Sequence, residues 1–145
     1  MRGLDTNILV RFLTADEPTQ SEICRRLIET TEAEGGNLHI SVLVLAELVW
    51  VLRGRRYAFS RVEVADVLDA LLDANVFEVQ DRDLVRRANA AFRAGPTDFS
   101  DHLIGEIDRR AGCTTTLTFD RRLSVTEGFE EPGIETGYPT RVSEP

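Results

Sequence analysis

The chain contains no lysine, because all 17 of its basic residues are arginines. A phosphate-binding P-loop needs the lysine of its Gly-Lys-Ser/Thr motif, so this class of nucleotide site is excluded. Phosphoacceptor signalling domains and haloacid-dehalogenase-like phosphotransferases place an aspartate after a first strand, and they are also expected to carry a lysine. The missing lysine therefore counts against both of these classes.

Cysteines and long apolar runs are also scarce. Cys24 and Cys113 lie far apart and lack the Cys or His spacings of a zinc site, so we expect two reduced packing residues. The most apolar run, residues 40–52, is shorter than the ~20 apolar residues of a membrane span. It predicts a buried helix. The apolar segments around Trp50, Val67 and Leu71 are candidates for a homodimer or antitoxin interface. The start MRGLDTN resembles neither a signal peptide nor a transit peptide, so we expect a cytoplasmic protein without membrane association.

Acidic residues outnumber basic ones, and the net charge is −8. This balance argues against broad, nonspecific affinity for nucleic acid, which depends on neutralising phosphates. Any RNA binding would rely on local clusters of arginine. Three such clusters occur, at Arg53/Arg55/Arg56, Arg82/Arg86/Arg87 and Arg121/Arg122.

Apolar periodicity predicts helices that alternate with short strands. Strands are expected at residues 1–5, 38–41, 75–80 and 113–120, with an edge strand near 136–138, and helices at 7–14, 18–34, 42–53, after Ser60 to about 72, 81–94 and 99–112. This alternation is typical of βαβ units and a mostly parallel sheet. We predict one domain over residues 1–145, with a core to about 126 and a variable tail at 127–145.

Two aspartates each follow a predicted strand. Asp5 comes after MRGL and Asp120 after TTLTF, and ligands of open parallel sheets bind at the carboxyl ends of strands. If the two strands are neighbours, the carboxylates face each other. Each aspartate has an alternative role as an N-cap, Asp5 for helix 7–14 and Asp120 for a short turn.

Three further carboxylates occur in predicted helices. Glu47 is the only charge within the apolar run SVLVLAELVWVL. A buried carboxylate is costly unless it is paired or binds a metal. The alternative is that Glu47 lies on a narrow exposed stripe of the helix. Asp98 and Asp101 lie three apart at a helix start, as either a capping box or a site. So many converging acids would repel one another without a cation, which implies Mg²⁺ or Mn²⁺.

Four segments resemble the acidic motifs of PIN-domain ribonucleases. They are LDTNILVR, the AEL of the apolar helix, DFSDHLI and TFDRRL, in order from Asp5 to about Leu123. The compact length resembles toxins of the VapBC toxin–antitoxin type. The resemblance implies a three-layer α/β/α fold with a central, mostly parallel sheet.

The resemblance also implies roles for individual residues. The family's catalytic and metal-binding acids are matched by Asp5, Glu47, Asp101 and Asp120. A frequent extra metal ligand is matched by Asp98, and the supporting polar positions are matched by Asn7 and Thr118. The expected activity is Mg²⁺-dependent cleavage of a specific structured RNA. Arg53 and Arg121 border the acids and are candidates for RNA binding.

A cognate antitoxin follows from the same resemblance, and an acidic pocket suits an inserted arginine. A homodimer is also expected. Two rival hypotheses remain, a non-catalytic metal-binding or interaction module of the same fold and, less favoured, a phosphoacceptor signalling domain that uses Asp5. His102 is expected to be a surface or packing residue.

Overall fold

A computed structural model of the chain describes residues 1–133. The predicted edge strand near 136–138 lies outside these residues. The chain forms two compact units, Met1–Leu103 and the residues from Ile104 onward. The prediction of one domain with a core to about residue 126 stays a prediction.

The first unit contains a three-stranded parallel sheet. Its strands, in the spatial order β1-β2-β3, are β1 (Arg2–Gly3), β2 (Leu38–Ile40) and β3 (Phe77–Val79). Leu38 pairs with Phe77 and Ile40 with Val79, and all four side chains are buried. The intervening Glu78 is exposed, as the two-residue period of a strand requires. The predicted first strand was expected to be buried, but β1 has only two residues and both are exposed.

Helices lie between these strands and after β3. They are α1 (Thr6–Thr14), α2 (Pro18–Ala33), α3 (Val42–Arg53), α4 (Arg61–Asp73), α5 (Arg82–Ala94) and α6 (Phe99–Arg110), the last of which extends beyond Leu103. Pro18 fits the first turn of α2, where the missing N–H costs nothing. Ser60 and Glu63 form a reciprocal capping box at the start of α4. Local sequence chemistry therefore sets where these helices begin.

The apolar stripes of the helices meet in one hydrophobic core. Leu9 of α1, Leu48 and Leu52 of α3, Leu68 of α4 and Leu84 of α5 are all almost fully buried within it. Helix α1 packs on α2 and α3, and α4 packs on α3 and α5. This packing fixes the positions from which α1 and α3 present their polar residues.

The second unit has its own small parallel sheet. Strand β4 (Thr116–Leu117) pairs with β5 (Phe129–Glu130), and the short helix α7 (Arg121–Ser124) lies between them in sequence. The ring of Phe129 packs so closely on Gly105 that a Cβ there would lie 2.6 Å from it. Strand β4 is shorter than the predicted strand 113–120, and β5 was not predicted because it falls in the expected tail.

Among the described residues, no helix combines the length and apolar character needed to cross a membrane.

Candidate active site

Asp5 lies between β1 and α1 and is exposed at the start of the helix. Its Oδ1 accepts a hydrogen bond of 2.8 Å from the backbone N–H of Thr6, so Asp5 is the N-cap of α1. The capping role considered from sequence is therefore observed. The capping hydrogen bond uses Oδ1 of Asp5, and it is compatible with a second role for the same carboxylate.

Glu47 lies on α3 and is exposed, which corrects the expectation that it is buried. Leu43 and Trp50, one turn before and after it, are 68% and 80% exposed. Helix α3 therefore has a solvent-facing stripe, although residues such as Leu48 and Leu52 on its other side are fully buried. The expectation that Glu47 is buried was wrong, because Leu43 and Trp50, the apolar residues on either side of it along this stripe, are exposed as well.

Asp5 and Glu47 nevertheless line the same cavity. This cavity has a volume of about 590 Å³, and Thr6, Asn7, Trp50 and Arg55 also contribute to its wall. The packing of α1 on α3 brings the two carboxylates to one surface from distant parts of the sequence. Two sequence-predicted acids and the predicted supporting residue Asn7 thus lie together.

A buried threonine connects the two helices at this cavity. Thr6 is 8% exposed, and its Oγ1 donates a 2.6 Å hydrogen bond to Oε2 of Glu47, a residue 41 positions away. A bond of this length to a carboxylate is a strong, charge-assisted one. Thr6 therefore fixes the orientation of Glu47 beside Asp5.

Asp16 neutralises two of the arginines near the cavity. Its carboxylate accepts hydrogen bonds from Arg11 at 3.2 Å, Arg56 at 2.8 Å and the hydroxyl of Tyr57 at 2.6 Å. The Tyr57 hydroxyl is the main cause that lowers the pKa of Asp16 below its ordinary value of 3.8, and Thr14 and both arginines add to it. Arg11 and Arg56 are thereby engaged, whereas Arg55 forms no ion pair within residues 1–133.

A second cavity adjoins the first, since Trp50, Gly54 and Arg55 line both of them. It has a volume of about 430 Å³, and its wall includes Asp98 and Arg53. Arg53 was predicted as an RNA-binding residue, and its guanidinium lies 5.7 Å from the centre of the Phe92 ring. Asp98 and Arg53 therefore lie at one surface.

Asp98 and Asp101 occupy the start of α6 as predicted. Oδ2 of Asp101 accepts a long hydrogen bond of 3.4 Å from the backbone N–H of Asp98. In a capping box this is the bond from the backbone of the N-cap residue to the side chain three residues later. The neighbouring His102 is buried and shares a 2.6 Å hydrogen bond with Thr97, so its predicted packing role is confirmed. Asp98 is exposed and Asp101 is partly buried.

Arg61 of α4 holds the loop that precedes these acids. Its guanidinium donates to the carbonyl oxygens of Phe92 at 2.8 Å, Thr97 at 2.7 Å and Pro96 at 2.8 Å. It also lies over the Phe92 ring, 4.6 Å from the centroid. These contacts fix the backbone from which Asp98 follows.

Asp120 and Thr118 belong to the second unit. Asp120 is the N-cap of α7, and its Oδ1 accepts from the backbone N–H groups of Arg122 at 2.9 Å and Leu123 at 3.2 Å. Thr118 Oγ1 accepts a 3.0 Å bond from the N–H of Asp120, and Arg121 is exposed. The capping alternative is thus observed here too. The predicted convergence of Asp120 with the other acids stays a prediction.

The described part of the chain contains no group of three or more His, Cys, Asp or Glu side chains placed to hold a metal ion. Mg²⁺ does not need such a group, because it keeps several waters and binds through one or two carboxylates together with substrate phosphates. Asp5 and Glu47 supply hard oxygen ligands at an open surface, and Asn7 and Thr6 add neutral oxygens. This donor set fits a hydrated Mg²⁺ or Mn²⁺ ion.

Other expectations from sequence need correction. Cys24 is buried as expected, but Cys113 is exposed and is not a packing residue. Leu71 is buried in the core and cannot form an interface, whereas Trp50 is exposed. Thr6 and Arg61 were not predicted as site residues, and Arg55 was named only as a member of an arginine cluster. Thr6 stands directly between Asp5 and Asn7, which is a signal that could have identified it, but the long-range contacts of Arg61 leave no local signal.

Comparison with known proteins agrees with the resemblance drawn from the motifs. Over 143 residues, which cover 99% of this chain and 100% of the relative, the sequence is 26% identical to the VapC ribonuclease of Aquifex aeolicus (strain VF5). The family model described as the PIN domain matches residues 4–128. That match confirms the predicted fold class, an α/β fold of three layers with a mostly parallel sheet. The chain therefore belongs to the PIN-domain family.

Proposed function

We propose that this protein is a Mg²⁺-dependent endoribonuclease that cleaves a specific structured RNA as the toxin of a toxin–antitoxin pair. One observation carries the proposal: Asp5 and Glu47, from separate helical segments, line one open cavity beside arginine side chains. The similar protein from Aquifex aeolicus is named a ribonuclease, which supports the same chemistry.

The chain's own residues would act through binding and orientation. Asp5 and Glu47 would hold the metal ion, and Thr6 would keep Glu47 in its binding orientation. A bound Mg²⁺ supplies charge stabilisation at the phosphoryl group and makes a water nucleophilic at neutral pH. Asp98, Asp101 and Asp120 complete the proposed set of acids, with Asn7 and Thr118 in supporting roles, and Arg53 and Arg121 bind RNA phosphates.

Partners form a second part of the proposal. A cognate antitoxin inserts an arginine into the acidic cavity, where a guanidinium can pair with a carboxylate in a bidentate manner. Support for a homodimer comes from Ile104 and Ile107, two exposed apolar side chains one turn apart on α6. A cytoplasmic location suits a protein that acts on cellular RNA. Light scattering after size-exclusion chromatography tests the dimer.

A non-catalytic module of the same fold is the second candidate. It is favoured by the capping bonds of Asp5 and Asp120, because these bonds alone could account for both carboxylates. Such a module would bind Mn²⁺ but leave RNA intact.

Cleavage of RNA by wild type and by Asp5→Asn tests the proposal. We expect wild type to cut a pool of structured RNAs in Mg²⁺ but not in EDTA. Asp5→Asn should cut at least about 100-fold more slowly, because a catalytic metal contributes several kcal/mol to transition-state stabilisation. Equal cutting by both proteins, after chromatography that excludes a contaminating nuclease, would show that the assignment of Asp5 is wrong.

A further inference from the structure

The indole of Trp50 is the least expected feature of this surface. Tryptophan is highly buried on average, yet Trp50 is 80% exposed. It lies one turn after Glu47 on α3, and it lines both the cavity that contains Asp5 and the one that contains Asp98. A broad aromatic face is therefore presented to solvent between the two groups of acids.

Two cationic side chains near Trp50 have no carboxylate partner in residues 1–133. Arg53 and Arg55 are both exposed, and neither forms an ion pair there. Arg11 and Arg56, by contrast, are already paired with Asp16. Within residues 1–133, the arginine side chains of the two cavities that lack a carboxylate partner thus lie within five residues of Trp50 in sequence.

An aromatic face flanked by unpaired guanidinium groups matches the chemistry of an unpaired nucleotide. Every base has a π-face that can stack on an aromatic side chain, and arginine binds the phosphates on either side. Bases within a duplex are already stacked on both faces, so recognition of this kind selects loops, bulges and single strands.

A protein is the competing occupant, since Leu43 and Trp50 are two exposed apolar residues on the same helix. Protein interfaces enrich tryptophan, but their buried cores are depleted of charge. Trp50 instead has Glu47, Arg53 and Arg55 close to it in sequence, and Leu43 lines neither cavity. The charges therefore favour RNA.

We propose that Trp50 is the stacking platform for an unpaired base of the RNA substrate, with Arg53 and Arg55 binding the adjacent phosphates. The inference rests on the proposed function and deepens it, because it names the part of the RNA that this surface recognises. A structured RNA would be cut where a loop or bulge supplies that base.

Trp50 is the only tryptophan of the chain, so its fluorescence reports directly on the proposed contact. A single-stranded oligouridylate is titrated into the full-length protein in EDTA, and gel electrophoresis confirms that the RNA stays intact. We expect saturable quenching of the fluorescence. A fully paired RNA hairpin of equal length with a closed, stacked tetraloop should quench much less.

Anisotropy of a labelled oligouridylate then measures the effect of substitutions. Trp50→Ala should weaken binding by roughly 5- to 150-fold, the ~1–3 kcal/mol of one stacked base, and Trp50→Phe should retain most of the affinity. Leu43→Ala, on the same helix but outside both cavities, is the matched control and should bind as wild type does.

Two results would overturn the proposal. One is unchanged fluorescence on addition of RNA. The other combines two observations. The emission of Trp50 shifts as the concentration of the protein rises, and both Trp50→Ala and Leu43→Ala lose self-association. That result would assign this face to a protein partner. RNA cleavage without quenching of Trp50 fluorescence would reject the stacking role of Trp50 but not the proposed nuclease activity. Quenching without cleavage would reject the nuclease activity and keep the stacking role.

Discussion

Asp5 uses one carboxylate oxygen to cap α1, and we propose that the same carboxylate also binds the metal ion. Asparagine caps helices about as well as aspartate does, but it lacks the charge that attracts a cation. Substitution of this residue can therefore separate the stability of the helix from catalysis.

We expect Asp5→Ala to lower the free energy of unfolding by ~0.5–2 kcal/mol, because alanine loses the cap. Asp5→Asn should stay close to wild type in stability even though it loses cleavage. Urea denaturation followed by circular dichroism measures both variants. A loss of stability in Asp5→Asn as large as that in Asp5→Ala would show that capping by a neutral side chain does not suffice here.

The hydroxyl of Thr6 is the contact that orients Glu47. Thr6→Val keeps the shape of the side chain and removes the hydroxyl, so Glu47 would lose its fixed orientation. We expect kcat for RNA cleavage to fall by roughly 10- to 100-fold, as with outer-shell partners of metal ligands, with little change in KM. Thr6→Ser, which retains the hydroxyl, should restore most of the activity. Equal activity in Thr6→Val and wild type would contradict this orienting role.

At the scale of elements, the loop between α5 and α6 depends on one side chain. Arg61 satisfies three backbone carbonyl oxygens, and two of these bonds are partly buried. In Arg61→Ala the carbonyl oxygen of Phe92 keeps its bond from the N–H of Gly95 at 3.0 Å. The partly buried carbonyl of Thr97 loses its Arg61 donor, and a buried group left unsatisfied costs ~1–3 kcal/mol.

We therefore expect Arg61→Ala to lose about 2 kcal/mol of unfolding free energy. Arg26→Ala is the matched control, because Arg26 lies on the surface of α2, where it forms an exposed ion pair with Glu22. Its effect should be within about 0.5 kcal/mol. Urea denaturation of both variants provides the comparison, and equal stability of the two would show that the carbonyl contacts of Arg61 contribute little.

Asp16 links the end of α1 to the loop that follows α3. Its pKa in the folded protein is depressed, so its contribution to stability is present above the ordinary value of 3.8 and disappears as the pH falls through the lowered pKa. We expect Asp16→Asn to melt below wild type at neutral pH. The difference in Tm should shrink as the pH falls below 3.8, which thermal melts across this range would show. A difference that is constant with pH would contradict the linkage.

Helices were more predictable than strands for a physical reason. Caps and terminators such as Ser60, Pro18 and Gly54 act on their own neighbours, so the sequence indicates where helices begin and end. Strand β5 has two residues and forms only by pairing with β4. Such a pairing has no local signal in the sequence, so β5 lies in a segment predicted as tail.

At the scale of the whole molecule, family membership was predictable because the four acidic segments occur in the expected order. The exposure of Glu47 was one of two alternatives that the sequence left open. Helix α3 is apolar on both sides, and which side meets the core depends on how α1 and α4 pack against it. Exposed Leu43 and Trp50 look like core residues in sequence, so only the tertiary structure identified the surface around Trp50.

The central claim is that folding brings Asp5 and Glu47 together as ligands of one divalent ion. Isothermal titration calorimetry with Mn²⁺ tests it most directly, using wild type, Asp5→Asn, Glu47→Gln and the double variant. Asp73→Asn, an exposed carboxylate of α4 outside the cavity, is the control.

We expect each single substitution to weaken Mn²⁺ binding at least about 10-fold and Asp73→Asn to leave it unchanged. The double variant should lose less than the sum of the two single losses, because both residues bind the same ion. Affinity equal to that of wild type in both single variants would contradict the claim.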